Sequence, residues 1–536
     1  MKSRFLAASA LALAPLAAPA LAQHQHMPGM QMPAPAKPAA KKPVAKKPAA
    51  TKRPAATRPA ARKKAAAATR AARPTDGRAQ HAPRTMPGMT MPEPPASQPA
   101  QPRDHSRMQH GVPTPAQPAP GGETPMDHSQ MDPAQMGEMP GMQHGEHAGH
   151  EMQLTGALGP YPMNRESSGT AWQPDASEHS GLHVMSGDWT LMAHGVLNLV
   201  YDHQSGARGA DKAFASGMLM GMARRPLGHG TLQFKAMLSP DPLMGKSGYP
   251  LLLASGETAN GADRLIDRQH PHDLFMELSA SVSQNIGSKG SLFLYAGLPG
   301  EPAFGPPAFM HREAILDSPE APISHHWLDS THISFGVVTG GIVLDRVKLE
   351  VSRFNGREPD QHRWNIETGP LDSTAIRLSW NPTRTLSLQG SWGHFEDPEQ
   401  LEPGVDQKRL SASLLYANEI APGWKLAGTL AWGRKTSHGH NDDAYVAEAS
   451  LKHGEWTLFG RGEMTENREL ADLADGPAYR VGKVSLGAVR DFAVAHHVSL
   501  GLGGLFAVNF VPDSLAPAYG GRHPTGAMTF VRLKLD

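Results

Sequence analysis

The chain has 536 residues, with 51 Lys and Arg against 50 Asp and Glu, and it contains no cysteine. The absence of cysteine excludes disulfides, thiolate metal ligands and a cysteine nucleophile. After the first 22 residues no stretch approaches the eighteen consecutive apolar residues of a helical membrane span, so we expect none.

Residues 1–22 have the organisation of a secretory signal peptide. Lys2 and Arg4 precede an apolar, alanine-rich run, and Ala20-Leu21-Ala22 offers a small-residue cleavage site. We therefore expect the chain to be exported and the mature protein to begin at Gln23.

Residues 23–152 are predicted to be a disordered periplasmic region. From Gln23 to His110 there are 17 basic and 3 acidic residues, whereas 111–536 has 32 basic and 47 acidic residues. The Lys/Ala/Pro-rich stretch 33–75 cannot bury enough apolar surface to offset its ordering entropy. We interpret it as a tether, with binding to anionic envelope polymers as the alternative. Export argues against nucleic acid as a partner.

Methionine and histidine recur in short repeats within the same region. MPGM occurs at 27–30, 86–89 and 139–142, DHS occurs at 104–106 and 127–129, and thirteen of the 26 methionines lie in 23–152. Thioether sulfur selects Cu(I), and imidazole extends the range to Cu(II) and Zn(II). The predicted copper ligands are Met126, His128, Met131, Met139, Met142, His144, His147 and His150. The alternative is a linker of biased composition.

Residues 153–185 are predicted to be a connector, and residues 186–536 alternate apolar and polar side chains. In 385–392, for example, Leu386 and Leu388 share one side while Ser387 and Gln389 share the other. Period two is typical of strands. Sixteen such segments lie near 189–202, 213–224, 229–239, 272–286, 290–298, 331–342, 345–354, 373–381, 385–395, 408–418, 423–434, 444–453, 455–464, 479–492, 496–509 and 525–535.

The connections between these segments alternate in length. Short turns include 287–289, 381–384, 421–423 and 453–454, and long loops include 240–271, 299–330, 355–372, 395–407, 435–443, 465–478 and 510–524. Outer-membrane barrels have short periplasmic turns and long external loops. The sequence therefore predicts an all-β transmembrane antiparallel barrel of about 16 strands, in the range 14–18, in the outer membrane of a Gram-negative bacterium. Its N-terminal tail would lie in the periplasm.

A second group of candidate metal ligands lies in the two long loops 240–271 and 299–330 and just after them. It comprises His270, His272, Asp273, His325, His326, Asp329 and His332. Because one strand separates the strands that follow these loops, we expect the groups to converge near the outer mouth, and His with carboxylate suits a divalent metal. The alternative is that they hydrogen-bond one another or line a polar pore. The proline-rich segment 301–307 is predicted to fold inward as a constriction.

The sequence carries no recognisable catalytic motif. G-x-S-x-G, H-E-x-x-H, the P-loop and the dinucleotide fingerprint are absent. We therefore expect no enzyme, and no catalytic or organic-cofactor residues. Two alternatives to a metal role stay open: a general porin-like channel with a non-functional tail, and a barrel-embedded lipid hydrolase with Ser and His on separate strands.

The signal peptide, the MDHSQMD and MPGMQHGEH repeats and the predicted barrel together resemble the copper-resistance protein B family. The resemblance implies an outer-membrane protein involved in copper binding, tolerance or export, with a Met/His-rich leader that captures the metal. Copper is the implied cofactor, and metal ions, outer-membrane lipid and periplasmic copper proteins are the implied partners. The barrel of this chain looks larger than in that family, and the Lys/Ala/Pro-rich arm is an additional feature. Transport, sequestration, metal oxidation state and oligomeric state stay open.

Overall fold

A computed structural model describes residues 155–178, 181–471 and 476–535. The signal peptide and the Met/His-rich region, with its eight candidate ligands, lie outside these residues. Within the described residues no helix is long and apolar enough to cross a membrane.

The described chain consists mainly of strands joined by turns and loops. In chain order the strands are β1 (Leu182–Ser186), β2 (Trp189–Gln204), β3 (Asp211–Leu227), β4 (Gly230–Leu238), β5 (Tyr249–Thr258), β6 (Arg264–Gln269), β7 (Phe275–Ile286), β8 (Gly290–Gly297), β9 (Val337–Leu344), β10 (Val347–Phe354), β11 (Ser373–Thr383), β12 (Leu386–Phe395), β13 (Gln407–Ala421), β14 (Trp424–Ser437), β15 (His440–His453), β16 (Trp456–Asn467), β17 (Tyr479–Ala495), β18 (Val498–Phe510) and β19 (Thr525–Leu535). The connections contain helices α1 (His325–Leu328) and α2 (Ala516–Tyr519), and 3-10 turns at Met163–Arg165, Asp241–Met244, Phe309–His311, Ser330–His332 and Glu469–Ala471.

Sixteen of these strands close into one antiparallel barrel. The order runs β2-β3-β4-β7 and then through β8 to β19, and β19 returns to pair with β2 from Gly195↔Leu535 to Gln204↔Gly526. The short strand β1 pairs with the first residues of β2, beyond the end of β19. Strands β5 and β6 form a separate two-stranded sheet. The predicted all-β, sixteen-stranded antiparallel barrel is confirmed.

Side chains alternate between the two faces of the barrel wall. On β2, Leu197 and Leu199 are exposed whereas Asn198 and Val200 are buried. Every barrel strand carries at least one exposed apolar side chain of this kind. Exposed tryptophans lie beside short turns (Trp380, Trp424, Trp456) and towards a long loop (Trp392). An apolar outer band flanked by aromatic residues is the surface that a transmembrane barrel presents to lipid.

Two sequence-based boundaries are wrong. Segment 435–443 is not a long loop, because β14 and β15 extend until only His438 and Gly439 connect them. Its polar side chains pair across the hairpin, as Arg434 does with Asp443 at 2.8 Å, so they belong to strands. Strand β9 begins at Val337 rather than at 331, because 331–336 belong to the preceding loop.

The connection between β8 and β9, residues 298–336, lies inside the barrel and is called the inward loop below. Its backbone is held by the inner wall: Ala303 N donates to Ser352 Oγ at 2.7 Å, and Arg461 Nη1 donates to Glu320 O at 2.9 Å. The proline-rich segment 301–307, predicted to fold inward, is buried throughout. At Gly433 on β14 an added Cβ would lie 2.4 Å from Trp327 O, so glycine allows the loop backbone to approach the wall.

Residues 155–178 enter the lumen from the end of the barrel that carries the short turns. Arg224 Nη1 donates to Thr155 O at 2.7 Å, Ser291 Oγ donates to Leu158 O, and Asn381 Nδ2 donates to Gln173 O at 2.8 Å. The strand partners of these bonds lie close to short turns. The first part of the predicted connector therefore packs inside the barrel, where it lies under the inward loop.

Candidate metal centre

The two longest connections bring five histidines together inside the barrel. The β4–β7 connection, residues 239–274, supplies two of them after the β5–β6 hairpin, and the inward loop supplies three from α1 and the turn that follows it. All five side chains are buried. This group, called the histidine cluster below, consists of His270, His272, His325, His326 and His332.

His332 lies at the centre of the closest contacts in the histidine cluster. Its ring centre is 5.1 Å from that of His272 and 5.3 Å from that of His325. His270 is farther out, with ring centres 5.9 Å from His325 and 5.7 Å from His326. The three central imidazoles are therefore contributed by both loops and by neither loop alone.

Each of the three central imidazoles is held through its Nδ1 atom. His272 Nδ1 is 2.8 Å from Asp241 Oδ2, His325 Nδ1 is 2.8 Å from Asp329 Oδ1, and His332 Nδ1 is 2.7 Å from the Asp329 carbonyl oxygen. Carboxylate and carbonyl oxygens accept, so Nδ1 carries the proton and Nε2 keeps its lone pair. The Nε2 atoms of all three are buried without a hydrogen-bond partner. An oriented imidazole of this kind is the usual form of a metal-ligating histidine.

The other two histidines of the cluster face carboxylates. His326 Nδ1 is 3.2 Å from Glu358 Oε1, and its ring packs so closely on Gly256 that an added Cβ there would be 2.5 Å from Nε2. His270 Nε2 is 3.2 Å from Glu257 Oε1, but the pair does not have the alignment of a hydrogen bond. His326 is therefore engaged in an ion pair, and His270 is a peripheral ligand candidate.

The electrostatics favour neutral imidazoles at the centre. Burial, reinforced by neighbouring histidines, lowers the pKa of His332 well below its ordinary value, and burial also lowers the pKa of His325. Burial and then Arg363 lower the pKa of His270 in the same way. For His326 burial acts in the opposite direction to Glu358, and the carboxylate prevails and raises the pKa. Neutral imidazole is the form that binds a metal.

Asp273 does not join the histidine cluster. Its Oδ2 atom accepts a hydrogen bond from Arg363 Nη1 at 3.1 Å, and the same guanidinium binds Glu257. Burial raises the pKa of Glu257 to about 7 and that of Asp273 to about 6, and Arg363 opposes both shifts. Arg363 thus fixes the β4–β7 connection, and Asp273 is a structural partner here.

The ring positions fit a bound metal in part. Within residues 155–178, 181–471 and 476–535, no group of three or more His, Asp or Glu side chains already forms a metal site. Two imidazoles bound through Nε2 to one tetrahedral ion at about 2.1 Å would have ring centres about 5 Å apart. The His332–His272 and His332–His325 ring centres are close to this separation. The three imidazoles are therefore near one another, but their nitrogens do not yet surround a single metal position.

The structure assigns the sequence candidates different positions. Of the loop residues, His272, His325 and His332 share the centre, His270 and His326 flank it, and Asp329 orients two rings. Arg312 beside Asp329 outweighs burial and holds the pKa of that carboxyl well below its usual range. Sequence reasoning missed Asp241 and Glu358, because no local pattern marks a residue that orients a distant histidine.

Comparison with known proteins gives similarity in fold only. No protein-family profile and no curated protein matches the chain. Similar solved structures include OmpF of Salmonella typhi in complex with daunomycin (10% identity, covering 66% of this chain and 100% of that chain, TM-score 0.44). Others are the anion-selective porin from Comamonas acidovorans (13%, 65% and 100%, 0.38) and OmpT of Vibrio cholerae (8%, 66% and 100%, 0.37). At these values no function follows from the matches.

Proposed function

We propose that this chain is an outer-membrane barrel that binds a transition-metal cation, copper or a metal of similar ligand preference, at the histidine cluster in its lumen. The metal is cargo of the cell envelope, and the protein takes part in its capture, tolerance or export. The observation that carries this proposal is the set of three buried imidazoles whose Nδ1 atoms are bonded and whose Nε2 atoms are not.

Leaving buried polar atoms unpaired costs free energy, so an unpaired set calls for an explanation. An unsatisfied buried donor or acceptor costs about 1–3 kcal/mol. Imidazole suits copper, zinc, iron and nickel, and the absence of thiolate disfavours a structural zinc site of the cysteine type. The Met/His repeats of 23–152 favour copper among these metals. A metal at the cluster would satisfy the three nitrogens together.

A general porin-like channel is the second candidate. The sixteen-stranded barrel and the many charged side chains of its inner wall favour this function. The inward loop and residues 155–178 occupy the lumen and favour a closed barrel. Planar-bilayer recordings of the full chain distinguish the two: the metal proposal expects little steady conductance, and large stable openings would support the channel.

The direct test is metal binding by a full-length chain whose tail carries no ligands. In this variant, called the quiet-tail chain below, every Met and His of residues 23–152 is replaced by Leu or Gln. Equilibrium dialysis against Cu(II) or Zn(II), with elemental analysis, should find one ion per chain. The same chain with His272→Gln and His332→Gln should bind none.

His362→Gln is the matched control. His362 Nδ1 lies 2.9 Å from Asp360 Oδ2, the same kind of His–Asp pair, but in an exposed loop. This variant should bind one ion as the parent does. A quiet-tail chain that binds neither metal, or a double variant that still binds, would overturn the proposal.

A further inference from the structure

Methionines occupy one sector of the inner wall. The segment GMLMGM (217–222) on β3 alternates, so Met218, Met220 and Met222 point into the lumen while Leu219 is exposed. The methionine sector, on β2, β3, β4 and β7, consists of Met192, Met218, Met220, Met222, Met237 and Met276. From β8 to β15, by contrast, the sequence has only Met310, and that residue lies on the inward loop.

Strand register places these side chains side by side. His194 on β2 is directly opposite Met220 on β3, and Met220 is in turn opposite Met237 on β4. Met192 is opposite Met222 one step nearer the short turns. Directly opposite residues have Cβ atoms about 5 Å apart, so one row presents an imidazole and two thioethers to the lumen.

A cavity of about 150 Å³ lies in front of this row, in the half of the barrel that carries the short turns. His194, Met218 and Met220 line it from the wall, and Met310 and His311 line it from the inward loop. The His194 and His311 ring centres are 6.4 Å apart. Protein interiors are normally packed without large voids. Met218 and Met220 are buried and pack with Met237 and Met276 and, from the inward loop, with Ile333 and Phe335. Met218, Met220 and Met310 also border the cavity.

We propose that this cavity is a second metal site, one that binds a soft monovalent cation such as Cu(I), held by the thioethers of Met218, Met220 and Met310 and by the imidazoles of His194 and His311. Thioethers are neutral at any pH and select soft ions over hard ones. The site therefore differs in preference from the all-imidazole histidine cluster. It goes beyond the proposed function and stands on a separate set of residues.

Phe309 separates the two sites. Its ring centre lies 6.2 Å from that of His272 and 5.8 Å from that of His325, and the next two residues, Met310 and His311, line the cavity. One 3-10 turn of the inward loop thus touches the histidine cluster on one side and the cavity on the other.

Silver(I) is the probe, because it prefers the same ligands and is not oxidised. Crystals of the full-length protein soaked in silver nitrate should show an anomalous difference peak among the sulfurs of Met218, Met220 and Met310. The triple variant M218L/M220L/M310L should lose the peak. Leucine conserves volume, and such exchanges cost less than about 1.5 kcal/mol, so the barrel should fold. M185L/M464L, at exposed positions, is the matched control and should keep the peak.

A solution arm uses the quiet-tail chain. Silver should raise its thermal unfolding temperature, because a ligand of the folded state stabilises it, and the triple variant should lose that rise. Zinc binding by the triple variant should be unchanged, and silver binding should survive in H272Q/H332Q. The separate thioether site would be overturned if the native protein showed no peak or if the triple variant kept it. It would also be overturned if either variant lost both silver and zinc binding.

Discussion

The two sides of the lumen are built from different chemistry. The methionine sector groups six thioethers with His194 on β2, and its strands carry few buried charges, among them the Lys235–Glu277 pair. The opposite wall, called the ion-pair sector below, carries alternating charges, which include Lys348, Glu350, Arg377, Arg409, Glu448, Arg461, Glu463 and Lys483. Both face the same inward loop. The ion-pair sector holds the loop through charged hydrogen bonds, whereas the methionine sector packs apolar side chains against Ile333 and Phe335 of the loop and borders the cavity.

In the ion-pair sector the charges are matched in short chains. Glu350 lies 3.3 Å from Lys348 and 3.0 Å from Arg377, and Glu448 lies 3.1 Å from Arg461. The inward loop adds Arg312, whose guanidinium makes two bonds to Glu448, at 2.7 and 2.8 Å. Buried charges of this kind are tolerated only when paired and hydrogen-bonded. The sector therefore holds the loop in one position.

Of the substitutions considered, Arg312→Met should cause the largest loss in the free energy of unfolding, because it removes an arginine of the buried ion pairs. Removing this guanidinium leaves Glu448 and Asp329 short of a buried partner, and breaking one side of a buried pair costs about 3–5 kcal/mol. The expected result is a loss of that size in the free energy of unfolding, measured by urea titration in lipid vesicles.

Lys289→Met is the matched control for Arg312→Met. Lys289 pairs with Asp345 at 3.1 Å in an exposed turn, and an exposed pair contributes about 0–1 kcal/mol. Equal losses for Arg312→Met and Lys289→Met would contradict the anchoring role.

Glu301 makes the stability of the ion-pair sector depend on pH. Its carboxyl lies 3.8 Å from Arg377 at the edge of this sector. Burial raises the pKa of Glu301 from 4.5 to about 7, and Arg377 only partly offsets this. The native carboxyl therefore ionises at higher pH than the unfolded one. Stability is lost as pH rises from about 4.5 to about 7, by about 3 kcal/mol in total.

Glu301→Gln should remove that pH dependence. Relative to the native chain, the variant should gain stability steadily between pH 5 and 7.5, measured as the difference in unfolding free energy at each pH. Thr339→Val, at a buried position that does not titrate, should differ from the native chain by a constant amount. If the difference in unfolding free energy between Glu301→Gln and the native chain is also constant with pH, the pKa of Glu301 is not raised in the folded protein.

The barrel strands were predictable from the sequence because lipid and lumen impose period two on both sides of the wall. Strand β5 was not, since Leu251, Leu252 and Leu253 are all buried and give no alternation. The β14–β15 hairpin was misassigned beyond the apolar band, where Asp442 and Asp443 belong to a strand. The polar residues of this segment show that the strands extend beyond the lipid. They do not show that the strands end there.

The candidate site was predictable as a set of residue types but not as an arrangement. His272 and His332 are conspicuous in sequence, yet Asp241, which orients His272, lies 31 positions away from it and carries no local signal. The methionine sector did have a signal, because Met218, Met220 and Met222 recur with period two on β3. That pattern says which face they share, but only the fold brings them opposite the inward loop.

Asp241→Asn tests the orientation of the cluster with a smaller effect. An amide can present its NH₂ group to Nδ1 and so favour the wrong tautomer of His272. Removing an orienting partner typically lowers metal affinity about 10–100-fold. We expect that loss for Cu(II) or Zn(II) in the quiet-tail chain, measured by competition with a chromophoric chelator. Asp360→Asn, beside the exposed His362, should leave the affinity unchanged, and an unchanged affinity in Asp241→Asn would remove Asp241 from the site.

Met237→Leu should have the smallest effect on the free energy of unfolding. It tests directly whether the methionine sector contributes less to stability than the ion-pair sector. Met237 is buried on β4 beside Met220, but no charge depends on it as Glu448 depends on Arg312. A volume-conserving exchange in an apolar environment costs less than about 1.5 kcal/mol. We therefore expect the unfolding free energy to change by less than this, with Met464→Leu on the exposed face as the control. A loss as large as that of Arg312→Met would mean that the thioether sector also fixes the inward loop, and the two walls would then share one structural role.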